Sequence, residues 1–240
     1  MGSATARHII AAVDEQAAWP SPRAQEIFFR LAESHGEPVW DRRGGDALEE
    51  LVGTILSQHT SDVNSERAYA SLRARFPTWR EVLESDQDAL VESIRSGGLA
   101  PTKARAIRAA LLDIVADRGE ADLEFLRDLS DTEARAYLER LPGVGPKTAA
   151  CVLAFALGMP ALPVDTHVQR VGTRLGLIPP RVSVGAAQAQ LEAQVPPPKR
   201  YAFHVLLIRH GRTICKAPRP LCERCPLENL CPKVGVVAGN

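Results

Sequence analysis

The sequence predicts an all-α protein, on three observations. Apolar residues recur at helical spacing along the chain, no stretch alternates with period two for long enough to make a strand, and caps, glycines and prolines punctuate it at helix-length intervals. Asp46 with Glu49 stands before the apolar face of Leu51, Val52, Ile55 and Leu56. Thr78 with Glu81 and Ser130 with Glu133 repeat that arrangement, a side-chain acceptor at N-cap and a carboxylate three residues on. Gly97 and Gly98 stop a helix that runs through Ile94, Pro101 opens the next, over Ala109 to Ile114, and Gly119 closes it. The Val195-Pro196-Pro197-Pro198 stretch breaks the chain before a last amphipathic helix over 201–209.

A chain of 240 residues, 45% hydrophobic and 24% charged, can bury one large core or two small ones and is not disordered. Its longest apolar run, 149–157, is far shorter than the roughly 18 residues needed to span a bilayer. Near the N-terminus the apolar residues Ile9 to Val13 run straight into Asp14 and Glu15, so no signal-peptide core forms. A cytoplasmic location is expected, beside the nucleoid if the source is bacterial. Twenty-nine basic and 29 acidic residues give zero formal charge, which excludes a protein that coats nucleic acid by bulk electrostatics. The distribution is uneven. Residues 1–60 carry 5 basic and 9 acidic side chains, whereas residues 194–240 carry 8 and 2.

That basic end also holds Cys215, Cys222, Cys225 and Cys231, separated by six, two and five residues. Four thiols so close together in a cytosolic chain point to a soft metal rather than to disulfides. Zinc ribbons usually present two short CxxC pairs, and only one short pair exists here, so the spacing favours a [4Fe-4S] cluster. Lys216 and Arg219 lie between the first two cysteines. They either contact phosphates from a loop that the metal would fix or merely balance the cluster's charge. Cys151, within the apolar run, reads as a core thiol.

The segment Leu141-Pro142-Gly143-Val144-Gly145-Pro146-Lys147 lies between a helix that begins near Ser130 and an apolar helix over 148–157. Two glycines permit positive φ and let the main chain of Gly143, Val144 and Gly145 approach a phosphate, with the next helix's dipole behind it. Pro146 suits the first helical position, which puts Lys147 in the first turn, where the dipole disfavours its ammonium form. A neutral amine there is a nucleophile. A lysine at a helix start is otherwise an ordinary surface residue. Asp165, in Val164-Asp165-Thr166-His167-Val168, reads as the N-cap of a helix through Leu175. Paired with Lys147, its carboxylate could also accept a proton and stabilise a cationic sugar.

Five segments together, over about 23–232, resemble the endonuclease III branch of the helix-hairpin-helix DNA glycosylases. They are LSQHTSD from Leu56, GLAPTKA from Gly98, LPGVGPKTA from Leu141, VDTHV from Val164, and the spaced cysteines. The resemblance implies base-excision repair of duplex DNA by a monomer with no membrane partner, and a bifunctional glycosylase and abasic-site lyase acting on oxidised pyrimidines. Lys147 matches the family's catalytic lysine, Asp165 its catalytic aspartate, and Cys215, Cys222, Cys225 and Cys231 its cluster ligands. Monofunctional relatives such as the adenine glycosylases generally lack the lysine. The nine residues after Cys231 are also too few for the recognition domain typical of that branch.

The same comparison implies two helical domains flanking a DNA-binding cleft. Residues 44–163 would form a six-helix domain with the hairpin, residues 23–43 and 164–235 a cluster domain, and residues 1–22 and 236–240 flexible tails. Leu99 fits one of the side chains that fill the gap left by a flipped nucleotide. For the other, Gln58 and His59 both fit, because glutamine here follows the Leu-Ser pair directly, one position earlier than the family pattern. Pro146 replaces a residue that is often basic in the family.

Overall fold

The computed structural model describes residues 18–40 and 45–236, and these contain eleven α-helices and no strand. In chain order they are α1 (Pro22–His35), α2 (Ala47–Ser57), α3 (Asp62–Arg75), α4 (Trp79–Glu84), α5 (Gln87–Ser93) and α6 (Ala100–Arg118). There follow α7 (Asp131–Arg140), α8 (Pro146–Cys151), α9 (Thr166–Arg174), α10 (Val184–Glu192) and α11 (Arg200–Thr213). The chain divides into two units, one of residues 45–159 and one that joins residues 18–40 to 160–236.

In the 45–159 unit the local signals act as sequence patterning requires. Asp46 Oδ1 accepts from the amides of Leu48 and Glu49 and starts α2. Thr78 and Ser130 each exchange hydrogen bonds with the glutamate three residues on, closing capping boxes on α4 and α7. Such a cap contributes about 1 kcal/mol. Helix α2 buries Ala47, Leu48, Leu51, Val52, Ile55 and Leu56 and packs against α3, α6 and α8, so it forms the middle of this unit. Seven α-helices lie here rather than six, because Thr78 and Asp86 each cap a short helix of its own.

The apolar run after Lys147 is not one continuous α-helix. After Cys151 it widens into a π-helix, Val152–Ala156, in which the Leu157 amide donates to Val152 O five residues back.

The other unit is built on α1, α9 and α11. Ala24, Ile27, Phe28 and Leu31 recur at helical spacing along α1 and are fully buried against Val168, Val171, Phe203, Leu206 and Leu207. Burial of each of the larger ones, Ile27, Phe28 and Leu31, contributes roughly 1.5–3 kcal/mol. Residues 18–22, expected in a flexible tail, belong to this fold. The Trp19 ring lies 5.1 Å from that of Phe28, and the Ser21 side chain caps α1. The expected tails at 1–17 and 237–240 lie outside the described residues, and so does the end of the segment expected to run to residue 43.

Residues 160–163, expected at the end of the hairpin domain, also join this unit. The Leu162 amide donates to Glu192 Oε1 at 3.0 Å, Pro163 O is 2.7 Å from His204 Nδ1, and the Leu162 side chain is fully buried in the α1–α11 core.

Candidate active site and metal centre

Helix α7 stops at Arg140, and the turn that follows is closed by the Val144 amide donating to Leu141 O at 3.1 Å. The Val144 amide is therefore committed to the turn itself, and the Val144 side chain is buried. Gly143 has φ +79°, and a Cβ there would lie 2.8 Å from the Ala106 Cβ of α6. Both facts demand glycine. Gly145 has φ −99° and is the N-cap of α8, with open space where a Cβ would stand. Pro146 occupies the first helical position and the half-buried Lys147 the second.

Helix α2 lies beside this turn. Gln58 Nε2 donates to Thr148 Oγ1 at 3.2 Å, and Thr148 is buried next to Lys147. One turn earlier on α2, Thr54 Oγ1 donates to Oε1 of Glu50, a further turn back, at 2.9 Å. Burial pushes the Glu50 carboxyl above the ordinary carboxylate range, while the Thr54 hydrogen bond and the positive charge of Lys147 pull it part of the way back. Sequence reading missed Glu50. Its one signal was a Glu-x-x-x-Thr pair inside an otherwise apolar helix.

The geometry separates Gln58 from His59. Gln58 is engaged with Thr148, whereas His59 is exposed and left-handed, with φ 54°. Leu99 is also left-handed, with φ 51°, and is 58% exposed. The two segments are tied together from inside. Lys103, 3% exposed, donates through Nζ to Leu56 O at 2.7 Å and to Gly97 O at 2.8 Å. Burial holds its ammonium below the usual lysine value.

Asp165, in the other unit, is half-buried and caps α9, its Oδ1 accepting from the Val168 amide at 2.7 Å. The four cysteines Cys215, Cys222, Cys225 and Cys231 line one cavity with Arg174, His210 and Lys233. Arg174 Nη1 donates to Cys215 Sγ at 3.4 Å, and the Lys233 amide donates to Cys231 Sγ at 3.4 Å. Arg174 also donates to Lys216 O at 2.7 Å and Ala217 O at 2.8 Å, which fixes the start of the loop. His210 Nε2 stands 3.5 Å from Cys225 Sγ. Burial lifts the thiols of Cys225 and Cys231, and the charges of the neighbouring cysteines lift them further, so a nearby cation would favour thiolates at these two positions. Lys216 and Arg219 are both exposed on the loop.

Residues 52–197 match the model of the HhH-GPD superfamily of base excision DNA repair proteins. A protein of Arabidopsis thaliana with a provisional DNA glycosylase name is 38% identical over 191 residues, 80% of this chain and 62% of that one, so the chain spans less than two thirds of that relative. Endonuclease III of Thermotoga maritima is 33% identical over 208 residues, 87% of this chain and 90% of that one. A solved trapped covalent endonuclease III–DNA intermediate, an estranged-adenine complex, superposes with a TM-score of 0.75 at 31% identity, over 88% of this chain and 96% of that one.

The fold and the hairpin thus define a helix-hairpin-helix protein of base excision DNA repair. More particularly, the chain belongs to the endonuclease III family of DNA glycosylases within the HhH-GPD superfamily.

Proposed function

We propose that the chain is a bifunctional glycosylase and abasic-site lyase that removes oxidised pyrimidines from duplex DNA, acting as a monomer. The observation that carries this reading is Lys147, half-buried in the first turn of α8 directly after the Gly143–Gly145 turn. As the free amine, Lys147 Nζ attacks C1′ of the deoxyribose of a flipped nucleotide, and the glycosidic bond breaks with its electron pair leaving on the base. The Asp165 carboxylate stabilises the cationic sugar as it forms. The opened sugar and Nζ then share a Schiff base. Loss of the C2′ proton expels the 3′ phosphate by β-elimination, and the strand is nicked.

His59 and Leu99 fill the space that the flipped nucleotide leaves. Their exposure and left-handed backbone support this choice, and the engagement of Gln58 with Thr148 makes Gln58 a support for α8 instead. The Gly143 and Gly145 amides hold one phosphate, and Lys216 and Arg219 hold others. The cysteine loop suits a [4Fe-4S] cluster. Its four sulfurs line one cavity, and only one short Cys-x-x-Cys pair stands among them where a zinc ribbon usually has two. Cys215, Cys222, Cys225 and Cys231 would hold the cluster, which would fix the loop that presents Lys216 and Arg219.

Borohydride trapping on duplexes carrying either an abasic site or thymine glycol tests this reading. The protein should become covalently attached to both, and Lys147→Gln should abolish attachment while DNA affinity persists. Trapping retained in that variant refutes the assignment.

A further inference from the structure

Helix α11 carries one ring that its apolar face does not call for. Phe203, Leu206 and Leu207 are fully buried, and His210, 1% exposed, stands at helical spacing from the two leucines and continues their face. A leucine at His210 would extend that core without desolvating two ring nitrogens. Both nitrogens are engaged. His210 Nε2 stands 3.5 Å from Cys225 Sγ, and His210 Nδ1 stands 3.3 Å from Nε2 of His35, the last residue of α1. The two rings meet at 65° with their centroids 5.6 Å apart. The end of α1 is itself held on α11, because Arg209 Nη1 donates to His35 O and to Gly36 O, each at 3.2 Å.

We infer that His210 is a positioning residue of the cysteine centre: its Nε2–H donates to the Cys225 sulfur, and His35 fixes the ring that does so. This rests on the reading of the four cysteines as ligands of a [4Fe-4S] cluster. A ligating thiolate carries no hydrogen, so at this contact the ring nitrogen is the donor. With its hydrogen on Nε2, the neutral imidazole offers Nδ1 as an acceptor, and His35 Nε2–H supplies the hydrogen for it. The relay therefore runs from α1 through α11 to one sulfur.

Two of the other sulfurs receive donors of a different kind. Arg174 meets Cys215 Sγ at 3.4 Å, but the same guanidinium holds Lys216 O at 2.7 Å and Ala217 O at 2.8 Å, so it serves the loop backbone first. Cys231 Sγ accepts from the main-chain amide of Lys233, a contact that comes with the folding of the loop. The His210 ring, by contrast, divides its two nitrogens between Cys225 and His35. A donor to a ligand sulfur favours the reduced, more negative cluster and so raises its reduction potential. A histidine that merely tied α1 to α11 would leave that potential where it was.

The test is the one-electron reduction potential of the cluster in the purified full-length protein without DNA, measured by voltammetry after iron has been counted. The proteins compared are the wild type, His210→Leu, His210→Gln, His35→Leu and the double variant with leucine at both positions. His210→Leu should shift the balance about tenfold towards the oxidised cluster, a fall of about 59 mV for one electron. His210→Gln keeps an N–H donor and should recover part of that fall. His35→Leu should move the potential the same way by less, since the donor stays but loses its support. The double variant should match His210→Leu alone, because His35 acts through His210.

A His210→Leu protein that keeps its iron and shows the wild-type potential overturns the inference, and a double variant whose fall is the sum of the two single falls overturns the relay through His35. If His210→Leu does not retain the cluster, His210→Gln and His35→Leu decide, and unmoved potentials in both overturn the inference. Wild-type protein holding about one zinc per chain and showing no reduction wave defeats the cluster reading beneath it instead.

Discussion

Replacing Gly143 by alanine should damage the hairpin turn for two separable reasons, and their sizes follow from the structure. The residue has φ +79°, where an L side chain costs about 1–2 kcal/mol. The new Cβ would also meet the Ala106 Cβ at 2.8 Å, with the Ala106 Cα behind it at 3.8 Å, so backbone of α6 or of the turn must move. Overpacking of this kind costs about 1–3 kcal/mol. The expected loss is about 2–5 kcal/mol, read from the urea midpoint by circular dichroism at constant slope. Gly145→Ala provides the control, since φ is −99° and no atom lies within 4 Å of its Cβ position. It should cost no more than about 0.5 kcal/mol.

Ala106→Gly alone should cost about 0.5–1 kcal/mol through helix propensity. Combined with Gly143→Ala it removes the close contact but not the backbone cost, so the double variant should recover about 1–3 kcal/mol of coupling. A coupling near zero, or a Gly143→Ala protein as stable as Gly145→Ala, refutes the account of why this turn needs glycine.

Three further outcomes follow. Lys103→Met leaves Leu56 O and Gly97 O without their buried donor and should cost about 2–4 kcal/mol by urea titration, with weaker binding to abasic duplex because the His59 and Leu99 segments lose their common anchor. Glu50→Leu should raise stability at pH 7 by about 0.5–2 kcal/mol. Its size depends on pH: the folded carboxyl binds its proton more tightly than the unfolded value of 4.5, so glutamate's contribution is present below that value and is lost as pH rises through the raised one. The gain should therefore shrink towards pH 4, and a gain independent of pH contradicts the buried-carboxyl account. Purified protein should contain about four irons per chain with thiolate-to-iron absorption in the visible, and Cys225→Ser should lose both; about one zinc per chain would refute the cluster.

Much of this was legible in the sequence because it is local. The caps at Asp46, Thr78, Ser130 and Asp165 require only an acceptor, the right offset and an apolar face beyond, and each sits where the spacing puts it. The cysteines were readable for the same reason. Their surroundings were not. Arg174 lies 41 residues before Cys215, and only folding brings its guanidinium to that sulfur. Trp19 was hidden by the proline after it, which reads as a break although Pro22 starts α1 with Ser21 as cap. The π-helix was hidden because Val152–Ala156 is apolar on every side, and such a run has no periodicity from which a change of pitch could be read.

The choice between Gln58 and His59 shows what the missing information was. As letters the two are adjacent polar residues with equal claims. The chain distinguishes them by ending α2 at Ser57, so that Gln58 still lies along the helix face and reaches Thr148, while His59 turns left-handed and leaves it. The same conformation at Leu99 stands directly after Gly98, which itself has φ +70°. Glycine would satisfy φ 51° at Leu99 at less cost, and the apolar side chain gains nothing by standing 58% exposed. A buried lysine bracing both segments adds a further desolvation cost. The left-handed backbone and the exposed apolar side chain, neither of which stabilises the free protein, are accounted for together if His59 and Leu99 meet their partner only when a nucleotide has left the duplex.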